Sequence, residues 1–379
     1  MDNLGYFPIN YANSRARWQS LQPLYPVPAF FGGWKVPSAT DNDLFTDHLF
    51  IPHSKEGRTL LVITSGVHGS ESYAGSAIEH MFIKEILPTI DFSHVGLWLV
   101  HNMNPWGFKH HQRCTENGVN LNRNFSINGE MFKRDTPKAS QLNDKFIPKM
   151  PVSSRKSHWL QTMAMKDGQP YFDGLSLDEF TKGVSPGQFI RKEYVEYGGK
   201  ELEPSSTHFV HGIREMMPAY KNIIGLDLHT GLGERGRLHL IAGGGNERVD
   251  KSLLNEVFDP KGDADFYEYT PPEVEGYYEV YGGINAAFVE LAKPGQRVCA
   301  VTMEFGTLGH SIEKQIEGMN SFFLEHQGQY YGYSTPKLEA EIKAENFARS
   351  FPDDQDWKNE IMNASRETFK RVIQRITRP

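Results

Sequence analysis

The chain has 379 residues, 39% hydrophobic and 23% charged, with acidic and basic residues mixed to a formal net charge of -7. This is enough apolar surface for a large core, which excludes long disorder, and the lack of a basic stripe excludes nucleic acid as a partner. No run of about eighteen apolar residues offers a membrane span, MDNLGYFPINYANSRARW holds no signal-peptide stretch, and just two cysteines, Cys114 and Cys299, read as reduced thiols, so the expectation is a cytoplasmic protein without a membrane partner.

The first forty residues are rich in aromatics and prolines without a clear period, and are expected to wrap onto the main body. Residues 43–52 (DLFTDHLFIP) read as an outer strand, and 59–68 (TLLVITSGVH) as a buried strand ending in a glycine turn. A helical period follows over 71–87 through Ala74, Ile78, Met81, Phe82 and Ile86. The run 95–103 (VGLWLVHNM) is a second buried strand, stopped by Asn104-Pro105. Between roughly 126 and 205 the rhythm weakens into Pro, Gly, Lys and Ser, which reads as an insertion over the sheet. Two more apolar strands, 222–229 (NIIGLDLH) and 297–305 (RVCAVTMEF), come later. The C-terminal part, 336–379, is expected to be helical. Its last helix starts at Pro352-Asp353-Asp354 and buries Trp357, Ile361, Phe369, Val372 and Ile376. Short apolar strands alternating with helices predict an α/β fold over 1–379, with a mixed, largely parallel central sheet covered by helices on both faces.

Three of these strands end in residues that carry chemistry. G-V-H-G-S-E-S sets His68 at a strand end and Glu71 three residues on, with Gly66 and Gly69 permitting a tight turn. Alone, such a pair also suits a strand cap and a helix N-terminal carboxylate. G-L-D-L-H-T-G ends a second strand with His229, and Asp227 lies two residues earlier on the same face. A histidine ending a buried strand is costly unless satisfied, so two of them point to a shared partner. T-M-E-F-G-T places Glu304 at the end of a third. A catalytic zinc site takes three nitrogen or oxygen ligands and keeps one position open, and ligand sites in open α/β sheets form at the carboxyl ends of strands. K-H-H-Q-R-C-T-E-N-G and G-V-N-L-N-R-N-F add Arg113, Asn122 and Arg123; guanidinium forks bind carboxylates and stabilise oxyanions. The neighbouring histidines His101, His110 and His111 read as decoys that bind no metal.

Taken in order, H-G-S-E, N-M-N-P-W-G-F, R-C-T-E-N-G-V-N-L-N-R-N-F, D-L-H-T-G and T-M-E-F-G resemble the zinc carboxypeptidase family, with its succinylglutamate desuccinylase and aspartoacylase relatives, over roughly residues 43 to 310. D-L-H-T-G-L-G, E-F-G-T and F-P-D-D-Q-D-W are similar to a bacterial branch of it. The resemblance implies a zinc carboxypeptidase-like fold and one zinc ion held by His68, Glu71 and His229. It makes Glu304 the general base and later acid, and Arg113 the group that polarises the scissile carbonyl. Asn122 and Arg123 match a pair that grips a substrate carboxylate. Two departures stand out. Asn120 takes the place of an aspartate that commonly holds the first histidine ligand, and no tyrosine is a clear active-site counterpart, although Tyr277, Tyr278 and Tyr281 are candidates by position.

The first functional expectation is a metallocarboxypeptidase that releases a C-terminal residue from a peptide. The second is an amidohydrolase that removes the acyl group from a small N-acyl amino acid or related amide. The third is a non-catalytic protein that keeps the fold and binds a metal, ligand or partner. The 126–205 insertion is expected to cap the active site.

Overall fold

The computed structural model describes residues 3–24, 28–242, 250–258, 267–270, 280–309 and 311–378. Helix α1 (Tyr11–Ser20) starts at Asn10, whose side chain accepts from the Asn13 N–H, and strand β1 (Phe30–Lys35) follows. Then come β2 (Phe45–Ile51), β3 (Thr59–Ser65), α2 (Ser72–Met81), β4 (Val95–His101) and α3 (Pro105–His110). The next stretch holds α4 (Pro137–Phe146), α5 (His158–Gln161), a small antiparallel sheet of β5 (Met163–Lys166), β6 (Gln169–Phe172) and β7 (Leu175–Ser176), and α6 (Leu177–Val184). The last part comprises α7 (Pro204–Met216), β8 (Asn222–Gly231), β9 (Leu238–Ala242), α8 (Lys251–Phe258), β10 (Tyr267–Thr270), α9 (Ile284–Leu291), β11 (Arg297–Gly306), α10 (Ile312–Tyr331), α11 (Pro336–Ser350) and α12 (Gln355–Ile376).

The main sheet has eight strands in the order β1-β2-β4-β3-β8-β11-β9-β10. Its middle, β4-β3-β8-β11, is parallel throughout, whereas β1, β2 and β9 join through antiparallel pairings. The four central strands are the four apolar runs read from the sequence, and near-continuous hydrophobicity is what a strand covered on both faces requires. Leu61, Ile63, Leu97, Leu226, Leu228, Val301 and Met303 face one layer with α2, α8 and α12. Leu60, Val62, Trp98, Ile223, Val298 and Ala300 face the other with α7 and α9. Helices therefore cover both faces of a mixed sheet, as expected.

Strand 43–52 is not the outer one. β1 flanks it, with Phe30 to Lys35 paired against Phe50 to Phe45. The run Phe-Phe-Gly-Gly-Trp-Lys has no alternation to betray it, and the glycines are there for space. A Cβ on Gly32 would come within 2.7 Å of the His48 ring, and one on Gly33 within 2.6 Å of Asp47 Oδ1.

Residues 126–205 build a satellite core around Trp159, Phe146, Phe172 and Phe180, with Phe323 of α10 packed into it. Helix α12 starts at Asp354, whose side chain accepts from the Asp356 and Trp357 N–H groups. The fully buried Trp357 donates from Nε1 to the Gly306 carbonyl at 2.8 Å, tying the helix to the end of β11. Cys114 and Cys299 are separate buried thiols. Among the described residues no helix is long and apolar enough to cross a membrane.

Candidate metal centre

Register brings the site together. In the parallel ladders Glu304 lies opposite His229, and Thr64 opposite Asp227. Strands β3, β8 and β11 therefore end along one edge of the sheet, and residues on the same rung share a face. After β3 the chain turns through Gly66 at φ +66°, with Asn104 N–H bonded to the Gly66 carbonyl at 2.8 Å. His68 then precedes a short 3₁₀ turn, Gly69–Glu71, that runs into α2. Gly69 N–H reaches the Arg113 carbonyl at 3.2 Å and Ser70 N–H the Gln112 carbonyl at 3.0 Å, which brings the arginine loop beside the histidine. The contact needs glycine, because a Cβ on Gly69 would come 2.2 Å from the Gly107 carbonyl carbon.

His68, Glu71 and His229 are all buried, and one potential ligand atom from each lies within 4.8 Å of the others. His68 Nδ1 is 2.8 Å from Glu71 Oε1, His229 Nδ1 is 3.0 Å from Glu71 Oε2, and the two Nδ1 atoms are 3.2 Å apart. The outer nitrogens turn away from this centre. His68 Nε2 donates to Asn120 Oδ1 at 3.1 Å, and His229 Nε2 donates to Asp227 Oδ2 at 2.5 Å. With both Nε2 atoms protonated, both Nδ1 lone pairs point at one spot beside a carboxylate. Thr64 in turn donates to Asp227 Oδ1 at 2.6 Å, and Thr230 N–H to Glu71 Oε2 at 3.0 Å, so the outer partners are themselves held.

The donor set fits a divalent ion. Two imidazole nitrogens and a carboxylate suit zinc, whose tetrahedral bonds of about 2.0–2.1 Å set donors roughly 3.3 Å apart. Charge agrees. Burial opposes a proton on His229, yet Asp227 and Glu71 flank it and push its pKa well above the ordinary value. Burial and the Arg113 guanidinium instead hold His68 down at about 4. The pocket thus favours positive charge between Glu71 and Asp227 while one of its imidazoles resists protonation.

Glu304, 7% exposed, accepts from the Leu232 N–H through Oε1 at 2.9 Å. Burial, with Glu71 adding to it and His229 opposing, raises its carboxyl to about 7. Arg113 Nη1 lies 3.1 Å from His68 Nδ1 and 3.5 Å from Glu71 Oε1, and its guanidinium packs 4.6 Å from the Phe322 ring.

A family profile described as "Protein of unknown function (DUF2817)" matches residues 28–364. The chain belongs to the DUF2817 family. No protein among the curated sequences matches it. Bovine thrombin-activatable fibrinolysis inhibitor, solved with tick carboxypeptidase inhibitor, is similar at 13% identity and a TM-score of 0.46, over 90% of this chain and 97% of that one. A metallo-carboxypeptidase from Burkholderia cenocepacia shares 12% identity at a TM-score of 0.44, over 86% and 69% of the two chains. An aspartoacylase family protein from Mesorhizobium loti shares 16% identity at 0.39, over 82% and 70%.

The other residues singled out in the sequence of this DUF2817 chain have partners of their own. Arg123 is 2% exposed. It donates from Nε and Nη2 to the Ser185 carbonyl at 3.1 and 2.6 Å, and from Nη1 to the Asn122 carbonyl at 2.8 Å. Asn122 Oδ1 accepts from Ile284 N–H at 3.0 Å, at the start of α9. Tyr281 lies under the Arg134 guanidinium at 3.9 Å, and Tyr277 and Tyr278 lie outside the described residues. Of the neighbouring histidines, His101 pairs with buried Glu79, His110 with Asp41 at 2.8 Å, and His111 with the Tyr73 hydroxyl at 2.8 Å.

Two glutamates went unread in the sequence. Buried Glu196 lies 3.1 Å from Arg123 Nη2 and 3.6 Å from Arg113 Nη2, and accepts from Asn120 Nδ2 at 2.5 Å. Burial opposes its charge, but Arg123 and Arg113 outweigh burial and hold the carboxyl below the ordinary value. Glu196 therefore stands behind Asn120, which supplies a carboxylate one step back from His68. Glu325 of α10 accepts from the Arg113 N–H at 2.7 Å.

Proposed function

We propose that the protein is a zinc-dependent hydrolase of amide bonds, with His68, Glu71 and His229 holding one zinc ion. The observation that carries the reading is the pair of Nδ1 atoms 3.2 Å apart beside Glu71, with Glu304 on the rung next to His229. When bound, the ion supplies Lewis acidity, which polarises a carbonyl and acidifies water. Glu304, with a carboxyl raised to about 7, takes a proton from the attacking water and later returns it to the leaving amine. Its bond from Leu232 N–H fixes the carboxylate's orientation for that transfer. Arg113 stabilises negative charge that develops on the carbonyl oxygen, at a guanidinium already directed toward His68 and Glu71. Asp227 and Asn120 hold the two imidazoles in the tautomer that turns each Nδ1 inward.

Between the two substrate readings, release of a C-terminal residue rests on Asn122 and Arg123 gripping a terminal carboxylate. The observed partners of Arg123, namely Ser185, Asn122 and Glu196, favour the second: removal of an acyl group from a small amide. The 126–205 stretch serves as a cover in this reading, because Ser185 and Glu196 wall the site on the arginine side.

The test combines metal analysis with product mapping. Zinc-loaded protein and Glu304→Gln are incubated with a peptide panel and an N-acyl amide panel, and products are followed by mass spectrometry. One zinc per chain, turnover by the wild type, and a loss of about 10²-fold or more in Glu304→Gln at unchanged zinc content are expected. A folded chain that takes up no zinc at neutral pH would leave a ligand-binding protein in its place.

A further inference from the structure

A carboxylate of the chain's own sits where two guanidiniums meet beside the metal centre. Glu196 faces Arg123 at 3.1 Å through Oε2 and Arg113 at 3.6 Å through Oε1, and Asn120 donates to the same Oε2 at 2.5 Å. Paired guanidiniums of this kind form a site for a carboxylate, because a fork of N–H donors matches two carboxylate oxygens. Three further Arg123 N–H groups go to the Ser185 and Asn122 carbonyls, and the side chain is 2% exposed. The surrounding backbone closes on it. A Cβ on Gly187 would come 2.8 Å from Arg123 Cδ, and one on Gly282 would come 2.6 Å from the Arg123 carbonyl oxygen.

Glu196 is also placed at a conformational cost. Its φ is +57°, in the left-handed region that a glutamate seldom adopts. The surrounding bonds hold it there: Gln188 N–H donates to the Glu196 carbonyl at 3.0 Å, and Gly198 N–H to the Gln188 carbonyl at 2.8 Å. Such residues persist where the neighbourhood over-determines them, and they gather at functional sites. A second carboxylate brought to these arginines would meet Glu196 with like charge and would find four of the five Arg123 N–H groups engaged. An uncharged group meets no such repulsion.

We propose that Glu196 fills the arginine pair from within, so that the site selects amides whose amine half is uncharged over amides whose amine half bears a free carboxylate. This rests on the amide-hydrolase reading above and specifies its substrate class. Glu196 is a specificity-determining residue that acts through Arg113 and Arg123, outside the proton-transfer step.

Two arms test it on the zinc-loaded full chain. In the first, matched libraries of peptides and N-acyl amino compounds carry either a free carboxylate or a primary carboxamide next to the scissile amide. Wild type is expected to prefer the carboxamide set by about ten-fold or more in kcat/KM. Glu196→Gln, which keeps size and one acceptor oxygen, and Glu196→Gly, which suits a φ of +57°, shift that ratio toward the free acids by about ten-fold or more. In the second, butyrate, which has no amide to cleave, is titrated calorimetrically. Glu196→Gly is expected to bind it about ten-fold or more tightly than wild type. Wild type that prefers free acids, or butyrate affinities equal in wild type and Glu196→Gly, overturns the proposal. If neither library is cut, the hydrolase reading fails by itself, and the butyrate arm still decides what Glu196 does.

Discussion

Glu325 offers a measurement that separates charge from packing. It sits on α10, 9% exposed, and accepts the Arg113 N–H at 2.7 Å. Burial raises its carboxyl from the ordinary 4.5 to about 7, against the opposing pull of the Arg113 backbone bond and guanidinium. The folded chain thus holds a proton that the unfolded chain gives up, and stability is full below pH 4.5 and falls as pH rises through 7. At about 1.4 kcal/mol per pH unit, the loss is roughly 3 kcal/mol once the pH exceeds 7. Glu325→Gln keeps an oxygen for the Arg113 N–H and removes the titration. An unfolding entropy of about 2.1 cal/mol/K per residue gives about 0.8 kcal/mol/K over the chain, so the difference corresponds to about 4 °C. Differential scanning fluorimetry at pH 5 and pH 8.5 reads it. Wild type and Glu325→Gln should melt within about 1 °C of each other at pH 5, and the variant should melt about 4 °C higher at pH 8.5. A gap of the same size at both pH values would refute the reasoning, because it would show a packing change and not a titration.

Asp227→Asn weakens the acceptor that holds His229 Nε2 at 2.5 Å, and is expected to lower zinc affinity by about 10–100-fold in competition with a chromogenic chelator. Gly69→Ala forces a methyl against the Gly107 backbone, 2.2 Å away, and should displace the His68 turn, so that zinc stoichiometry drops along with the melting temperature. Trp357→Ala empties a fully buried site and breaks the bond to the Gly306 carbonyl. It should cost about 3–5 kcal/mol in denaturant unfolding.

Much of the central architecture was legible because burial on both faces writes itself plainly. The runs over 59–65, 95–101, 222–231 and 297–306 are rich in apolar residues, and each becomes a central strand. His68, His229 and Glu304 stood out for the same reason, as costly polar residues at the ends of such runs. β1 was hidden because an edge strand with two glycines has neither alternation nor a continuous apolar run. The stretch 126–205 was opaque because its short elements pack around aromatics, Trp159 and Phe323 among them, that are distant in sequence. Glu196, in the run Tyr-Val-Glu-Tyr-Gly-Gly, carries no pattern that sets it apart from other glutamates of the chain. Only tertiary structure reveals that its neighbours are Arg113 and Arg123, and that meeting tilts the substrate reading from a free C-terminus toward a small amide.

The two histidines that share Glu71 are 161 residues apart in sequence. During synthesis the His68 turn leaves the ribosome long before β8 exists, and β11, with Glu304, comes later still. A nascent chain can therefore present a histidine and a carboxylate to an ion early but cannot complete their enclosure. The centre closes only when the strands of the second half slot in beside β3, a non-local pairing of the kind that slows folding. The meeting of His68, Glu71 and His229 thus waits on strands made well after the first of them.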